Sequence, residues 1–220
     1  MTETTGATTF KEILMATDAQ ISISRIGTET LRVPLVGTAP LIVHKFGEKA
    51  KRQMLDNMQG RKSPKQPKDP DAEYEAAFYR LDDGTPGMPV IAFKSATVGA
   101  ARFFGKDVSM TALRQFMFFD AEFSKKDGQK LARIVGNAHM REDVVAVGMK
   151  GHDLRYRPEF TEWSTAIEVT YVKSMLTRDS VVSLIDAGGM GVGVGEWRVE
   201  KRGDFGTYQI DATREVEVLS

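Results

Sequence analysis

From Ser164 to Val199 the chain reads STAIEVTYVKSMLTRDSVVSLIDAGGMGVGVGEWRV, and three local patterns follow one another inside it. Ser164–Val172 alternates apolar and polar residues with a period of two, as a half-buried strand does. Thr177 then offers a hydroxyl N-cap to a helix over Asp179–Ala187, and Gly188-Gly189 is expected to stop that helix. Val192–Val199 and Thr207–Ile210 read as further strands, separated by a hairpin around Arg202-Gly203-Asp204. A strand, a helix and a strand therefore close the chain.

Working outward, the same order is expected near the other end. After a flexible leader over 1–19, Gln20–Ile26 and Leu31–Val36 carry β-branched residues and read as two strands broken at Gly27-Thr28-Glu29. Leu41-Ile42-Val43 leads into a helix from about His44 to Met58, where Phe46, Ala50, Met54, Leu55 and Met58 recur at three- and four-residue spacings. The stretch GRKSPKQPKDP, Gly60 to Pro70, lacks any large apolar residue and reads as an exposed basic loop. Glu73–Leu81 and Val90-Ile91-Ala92-Phe93 are expected as strands, with turns at Asp82-Asp83-Gly84 and Pro86-Gly87. Ser95 is expected to cap a helix that runs to about Phe104, tight against a sheet through Ala96, Gly99, Ala100 and Ala101, and ends at Gly105. Phe116–Phe123, Leu131–Val135 and Asp143–Val147 supply strands in a central insertion over about 106–160. Strand–helix–strand units at both ends with strands between make the class α+β rather than a doubly wound sheet, in a single domain over 20–220.

Composition narrows the function. The 220 residues, 41% hydrophobic and 27% charged, suffice for a substantial core. Cysteine is absent, which removes disulfides, thiolate metal sites and cysteine nucleophiles. No apolar stretch approaches a membrane-spanning length, and the polar, Thr-rich start lacks a signal-peptide pattern, so a cytoplasmic protein with no membrane partner is expected. The net charge is zero, yet eight Lys or Arg stand against two acids between His44 and Lys68.

The glycine run, Gly188, Gly189, Gly191, Gly193 and Gly195, follows a helix and precedes a strand. A dinucleotide fingerprint needs the reverse order, so that phosphates meet a helix N-terminus. Bare main chain here admits close approach by a polymer backbone or a partner strand. The same glycines also suit a helix C-cap, a bulge and a tight strand crossing. Cations recur where a polymer would pass: Lys45, Lys49 and Arg52 on the first helix, Lys62, Lys65 and Lys68 in the basic loop, Lys94 and Arg102 around the second helix, Arg155 and Arg157, then Arg198, Lys201 and Arg202. Each alone is an ordinary surface charge; several acting together bind phosphates. Tyr156, Phe160, Trp163, Trp197, Phe205 and Tyr208 are candidates for stacking on bases, and equally for the core.

Catalysis has little support. The three histidines, His44, His139 and His152, show neither the H-E-x-x-H pattern nor a three-ligand spacing, and no nucleophile elbow or special carboxylate pair is present. No catalytic residue, metal or cofactor is assigned.

The segments Thr38–His44, Met88–Ala96 through Arg102, and the glycine run through Gly195-Glu196-Trp197-Arg198 and Gly203-Asp204-Phe205-Gly206 resemble a family of small bacteriophage and prophage proteins. More distantly, an early strand ending in a Pro-Leu turn, a middle strand entering an Ala-rich helix and a late Gly-rich loop are similar to the Cas7-like RAMP proteins. That resemblance implies an RRM/ferredoxin-like core with a large central insertion, polymerisation along an RNA and backbone readout without base specificity. It implies Lys45, Lys94, Arg102, Gly191, Gly193, Gly195 and Arg198 as contacts. The resulting expectation is a phage-type protein that binds single-stranded nucleic acid, RNA or DNA, as a homo-oligomer or filament. Two alternatives stand beside it: a phage structural or assembly protein, and a metal-independent nuclease using His44 or His139.

Overall fold

The computed structural model describes residues 23–61, 67–106, 108–147 and 151–220. Strand β1 (Thr28–Gly37) and the short β2 (Leu41–Ile42) precede helices α1 (Glu48–Met58) and α2 (Pro70–Ala76). Strands β3 (Tyr79–Arg80) and β4 (Pro86–Pro89) lead into α3 (Val90–Gly99), which a 3-10 turn over Ala100–Phe104 prolongs. Helix α4 (Met110–Phe116) runs into β5 (Met117–Asp120), followed by β6 (Glu122–Ser124), β7 (Gln129–Arg133) and the hairpin β8 (Ala138–Val147) and β9 (Gly151–Phe160). Strand β10 (Ser164–Val172), helix α5 (Arg178–Gly191), a 3-10 turn over Val199–Lys201, β11 (Tyr208–Ile210) and β12 (Glu217–Val218) complete the described elements.

The central sheet has the order β11-β1-β10-β5, antiparallel throughout, with β12 also on β1. Taken along the path β1-α3-β5-β10-α5-β11 this is the fourth-first-third-second order of a ferredoxin-like α+β core. Its registration follows from hydrophobic alternation: Leu31 pairs with Val169 and Val33 with Ile167, and all four side chains are buried. Each such burial stabilises by about 1.5–3 kcal/mol, and a one-residue slip would turn the whole set toward water. Two excursions leave the path. The first carries β2 to β4; the second carries β6 to β9 and begins after β5, so α4 and β5 lie on the core path.

Two smaller antiparallel sheets, β2-β9-β8 and β3-β4-β7-β6, are built from these excursions. Helices α3 and α5 pack side by side on the central sheet. A Cβ on Gly188 would stand 2.8 Å from the Ala96 carbonyl carbon and the Thr97 amide nitrogen, and one on Gly189 would collide with the main chain of Tyr208. Helix α5 therefore continues to Gly191 instead of stopping at Gly188-Gly189, because closeness to α3 and β11 outweighs a propensity cost of about 1 kcal/mol per glycine.

Several expected elements are corrected. Val90-Ile91-Ala92-Phe93 opens a helix, not a strand: Pro89 precedes it, and Phe93, Ala96, Thr97 and Ala100 bury one helical face. Tertiary burial overrides β-branched propensity there. Ser95 sits inside α3 and caps nothing. Glu73 belongs to α2, whose Asp69 side chain accepts from the Ala72 amide with Pro70 following it, a helix start hidden in the basic loop. Met110–Phe116 is helical behind a Ser109 cap. Thr28 and Glu29 lie within β1, not at a break, residues 23–27 form no strand, and 20–22 lie outside the described residues. Residues 192–198 are irregular chain rather than a strand, and Val199 opens the 3-10 turn.

Candidate nucleic-acid interface

Helix α3 buries Phe93, Ala96 and Val98 and leaves Ile91, Lys94 and Ser95 toward solvent. Beside this flank run two clefts of about 280 and 380 Å³ that share Ile91, Ser95 and Glu200. The first is closed by His44, Tyr79 and the loop Val192, Gly193, Val194, Gly195, Glu196 and Arg198. The second is closed by Lys94, Arg102, Met110 and Arg114. Together they form one groove.

The loop wall is fixed by main-chain bonds. Val194 N–H donates to Gly206 O at 2.9 Å, Gly206 N–H to Pro40 O at 2.8 Å and Glu196 N–H to Ile42 O at 2.9 Å. Gly195 takes φ +80°, and a Cβ there would lie 2.5 Å from Ile42 O. The strand β2 thus holds the loop at a separation only glycine permits.

Of the sequence-derived candidates, Lys94, Arg102, Gly193, Gly195 and Arg198 line this groove. Arg198 donates to Gly195 O at 3.2 Å and to Glu200 at 2.9 Å, and Arg102 lies 3.9 Å from Glu200. Lys94 donates to Arg114 O at 3.1 Å beside the Phe118 ring. Lys201 and Arg202 are exposed just beyond the loop wall. Gly191 is instead covered by the Phe103 ring, 2.4 Å from where its Cβ would stand. Lys45 makes an ion pair with Asp127, a carboxylate with a 1% exposed side chain that also accepts from Arg80 N–H. Lys49 and Arg52 fall on α1. Arg155 sits on β9, 3.8 Å from Asp153. Lys62 and Lys65 lie outside the described residues.

Arg157 is corrected outright as a surface contact, because its side chain is 0% exposed. It pairs with Asp143 and lies 3.5 Å from Glu196. Arg141 donates to Asp143 at 3.0 Å and to Glu159 at 2.9 Å. The two guanidiniums lie over Trp197, at 4.9 Å for Arg157 and 5.3 Å for Arg141, and Arg141 also covers Phe205. These stacked charges dock the β8–β9 hairpin onto the loop. Trp197 adopts φ +49°, a strained value for a bulky side chain, and its carbonyl accepts from Phe205 N–H at 3.2 Å. Among the proposed stacking aromatics, Phe160, Trp163 and Tyr208 are buried in the core.

The groove adds Arg114, Glu196 and Glu200, which the sequence did not single out as contacts, and brings in His44, named there only for the nuclease alternative. Arg114 is close to Lys94 only because α4 turns back along α3. His44 lies 3.8 Å from Glu196, whose carboxyl this imidazole holds below its usual range against the opposing effect of burial. Glu200 lines both clefts. On the far face of the central sheet, Thr30 pairs with Thr170 through hydroxyls 2.9 Å apart, Arg32 lies opposite Glu168, and the half-exposed Phe118 stands beside Thr170 on edge strand β5. Among the described residues no cluster of three or more His, Cys, Asp or Glu is arranged to hold a metal, and no helix is long and apolar enough to cross a membrane.

No family model and no curated protein matches the chain. Solved structures similar to it include Cmr6 from Pyrococcus furiosus, at 10% identity and a TM-score of 0.42, over 85% of this chain and 100% of that one. The Type III-B Cmr-beta complex bound to cognate target RNA is similar at 10% identity and a TM-score of 0.44, over 96% of this chain and 64% of that one. Likeness of this degree assigns no residue a role.

Proposed function

We propose that the chain binds single-stranded nucleic acid, RNA or DNA, along the α3 groove. The observation that carries this reading is convergence: Lys94 and Arg102 beside α3, Arg114 from α4 and Arg198 from the glycine loop border one continuous depression. Four cations against two carboxylates, Glu196 and Glu200, leave the groove positive in a chain of zero net charge. Phosphates gain from such a cluster by releasing counterions.

The test is retention of a labelled oligonucleotide as salt is raised. With about four phosphate contacts the logarithmic salt slope is about −3, and K94E, R102E and R198E together abolish retention. A triple variant that remains folded and retains the strand undiminished overturns the proposal.

One observation favours a second reading, an assembly protein whose copies associate through α1. Met54, Leu55 and Met58 on that helix and Phe46 before it are 54%, 54%, 84% and 49% exposed. Contiguous apolar exposure of this kind marks interaction surfaces. Homo-oligomers or filaments along a strand unite the two readings. A salt-insensitive oligomer in light scattering that ignores oligonucleotides favours assembly alone, and a monomer at every concentration removes it.

A further inference from the structure

The first cleft differs in chemistry from the rest of the groove. Lys94, Arg102 and Arg114 border the second cleft, whereas the first sets the apolar Tyr79, Met88 and Ile91 beside His44, Arg198 and two carboxylates, Glu196 and the Arg198-paired Glu200. A phosphate is repelled by a carboxylate; a base edge bearing N–H groups is attracted to one.

Glu196 is built to stay where it is. Its amide is bonded to Ile42 O at 2.9 Å, Gly195 before it holds a left-handed turn, and the buried Arg157 stands behind it. The two nitrogens nearest its oxygens, His44 Nδ1 at 3.8 Å and Arg157 Nη1 at 3.5 Å, stand beside the carboxylate without forming hydrogen bonds of ordinary length. Arg157 Nη1 and Nε have no hydrogen-bond partner. The carboxylate lone pairs therefore remain available to a ligand, in a recess of mixed polar and apolar walls.

Resting on the reading of the groove as a strand-binding site, we infer that this cleft takes one unpaired guanine base, its N1–H and N2 amino group donating in parallel to the two oxygens of Glu196. Guanine alone among the common bases presents two adjacent donors on its Watson–Crick edge. Adenine and cytosine set an acceptor beside their amino group, and uracil flanks its single N–H with two carbonyls; each places a lone pair against the carboxylate. The base plane packs among Tyr79, Met88 and Ile91, while the strand's phosphates lie along Lys94, Arg102 and Arg114. The groove thereby reads sequence at one position and backbone elsewhere.

The experiment compares fluorescence anisotropy of labelled uridine decamers, and their deoxy counterparts, carrying one central guanosine, inosine, adenosine or cytidine. Guanosine binds about tenfold or more tighter than adenosine or cytidine, and inosine, which lacks the N2 amino group, falls between. E196Q, whose amide offers one acceptor and one donor, reduces the guanosine preference to about twofold or less while still retaining the plain uridine decamer, which shows that the variant is folded. The inosine series on the unaltered protein decides the matter even where E196Q fails to fold. Equal affinity for all four strands overturns this inference and leaves the proposed function standing. Retention of none of them overturns both. Guanosine monophosphate competing as well as the strand keeps the pocket and overturns strand binding.

Discussion

Glu196 and Arg157 approach within 3.5 Å across the boundary between groove and interior, the carboxylate partly open to solvent and the guanidinium wholly closed to it. Arg157 comes from the hairpin and Glu196 from the glycine loop, so this pair joins two parts of the chain that the core path does not connect. Arg157 also partners Asp143, which is itself buried.

Loss of Arg157 is a stability event. R157A opens a void and removes one of the two guanidiniums on Asp143, Arg141 staying at 3.0 Å, a cost of about 1–3 kcal/mol, which for a chain of this length corresponds to a fall in Tm of roughly 2–12 °C. Thermal unfolding measures it. The surviving folded fraction retains oligonucleotide, because Arg157 touches no solvent; a stable R157A variant that has lost binding contradicts this assignment.

Two lysines that look alike in sequence separate by assay. K94Q removes a groove cation and flattens the salt slope by about 0.7 with little change in Tm. K45Q strips the buried Asp127 of an ion-pair partner, lowers Tm, and leaves the slope where it was. Reversal of the two behaviours in a titration series refutes the groove's boundaries.

Gly188 tests the helix crossing. G188A places a methyl group 2.8 Å from main-chain atoms of Ala96 and Thr97, which are not free to move away as a side chain would be. An overpacking cost of about 1–3 kcal/mol is expected in denaturant unfolding. G84A, in open space at φ +87°, costs less, about 1 kcal/mol.

Acid acts late on the turn that holds Asp83. The Thr85 amide, then the Arg133 guanidinium, hold Asp83 down from 3.8 to about 2. A depressed carboxyl stabilises the fold above its unfolded value, and that contribution is lost as pH falls from 3.8 toward about 2. Carbon-detected titration of the Asp83 carboxyl shows the low midpoint, and D83N abolishes it. A midpoint at the ordinary value breaks the assignment.

What the sequence made legible was local. Strand β10, the Thr177 cap and the stop at Gly105 depend on neighbours a few residues apart, and period and capping chemistry reveal them. Val90–Phe93 misleads because an unbroken apolar run reads as a buried strand, whereas in α3 Val90 and Phe93 turn to the core and Ile91 to the groove. The Arg102 and Arg198 cations could be named, but a string cannot show that both face Glu200. Arg157 looked like the other cations because burial is a property of three dimensions, set by a hairpin whose partner strand β2 lies far upstream. Glu196 escaped notice for the reverse reason: an acid is an unexpected lining for a groove chosen by its basic residues.

The pairing of Leu41 with Phe160 has a consequence for biogenesis. Strand β2 emerges early from the ribosome and waits for β9, and the loop that β2 holds arrives later still. The recess consequently cannot form until β2, β9 and the glycine loop, far apart in sequence, have all been made. Truncated or stalled products would display the basic helix flank without the acidic recess, and would bind strands without discriminating among them.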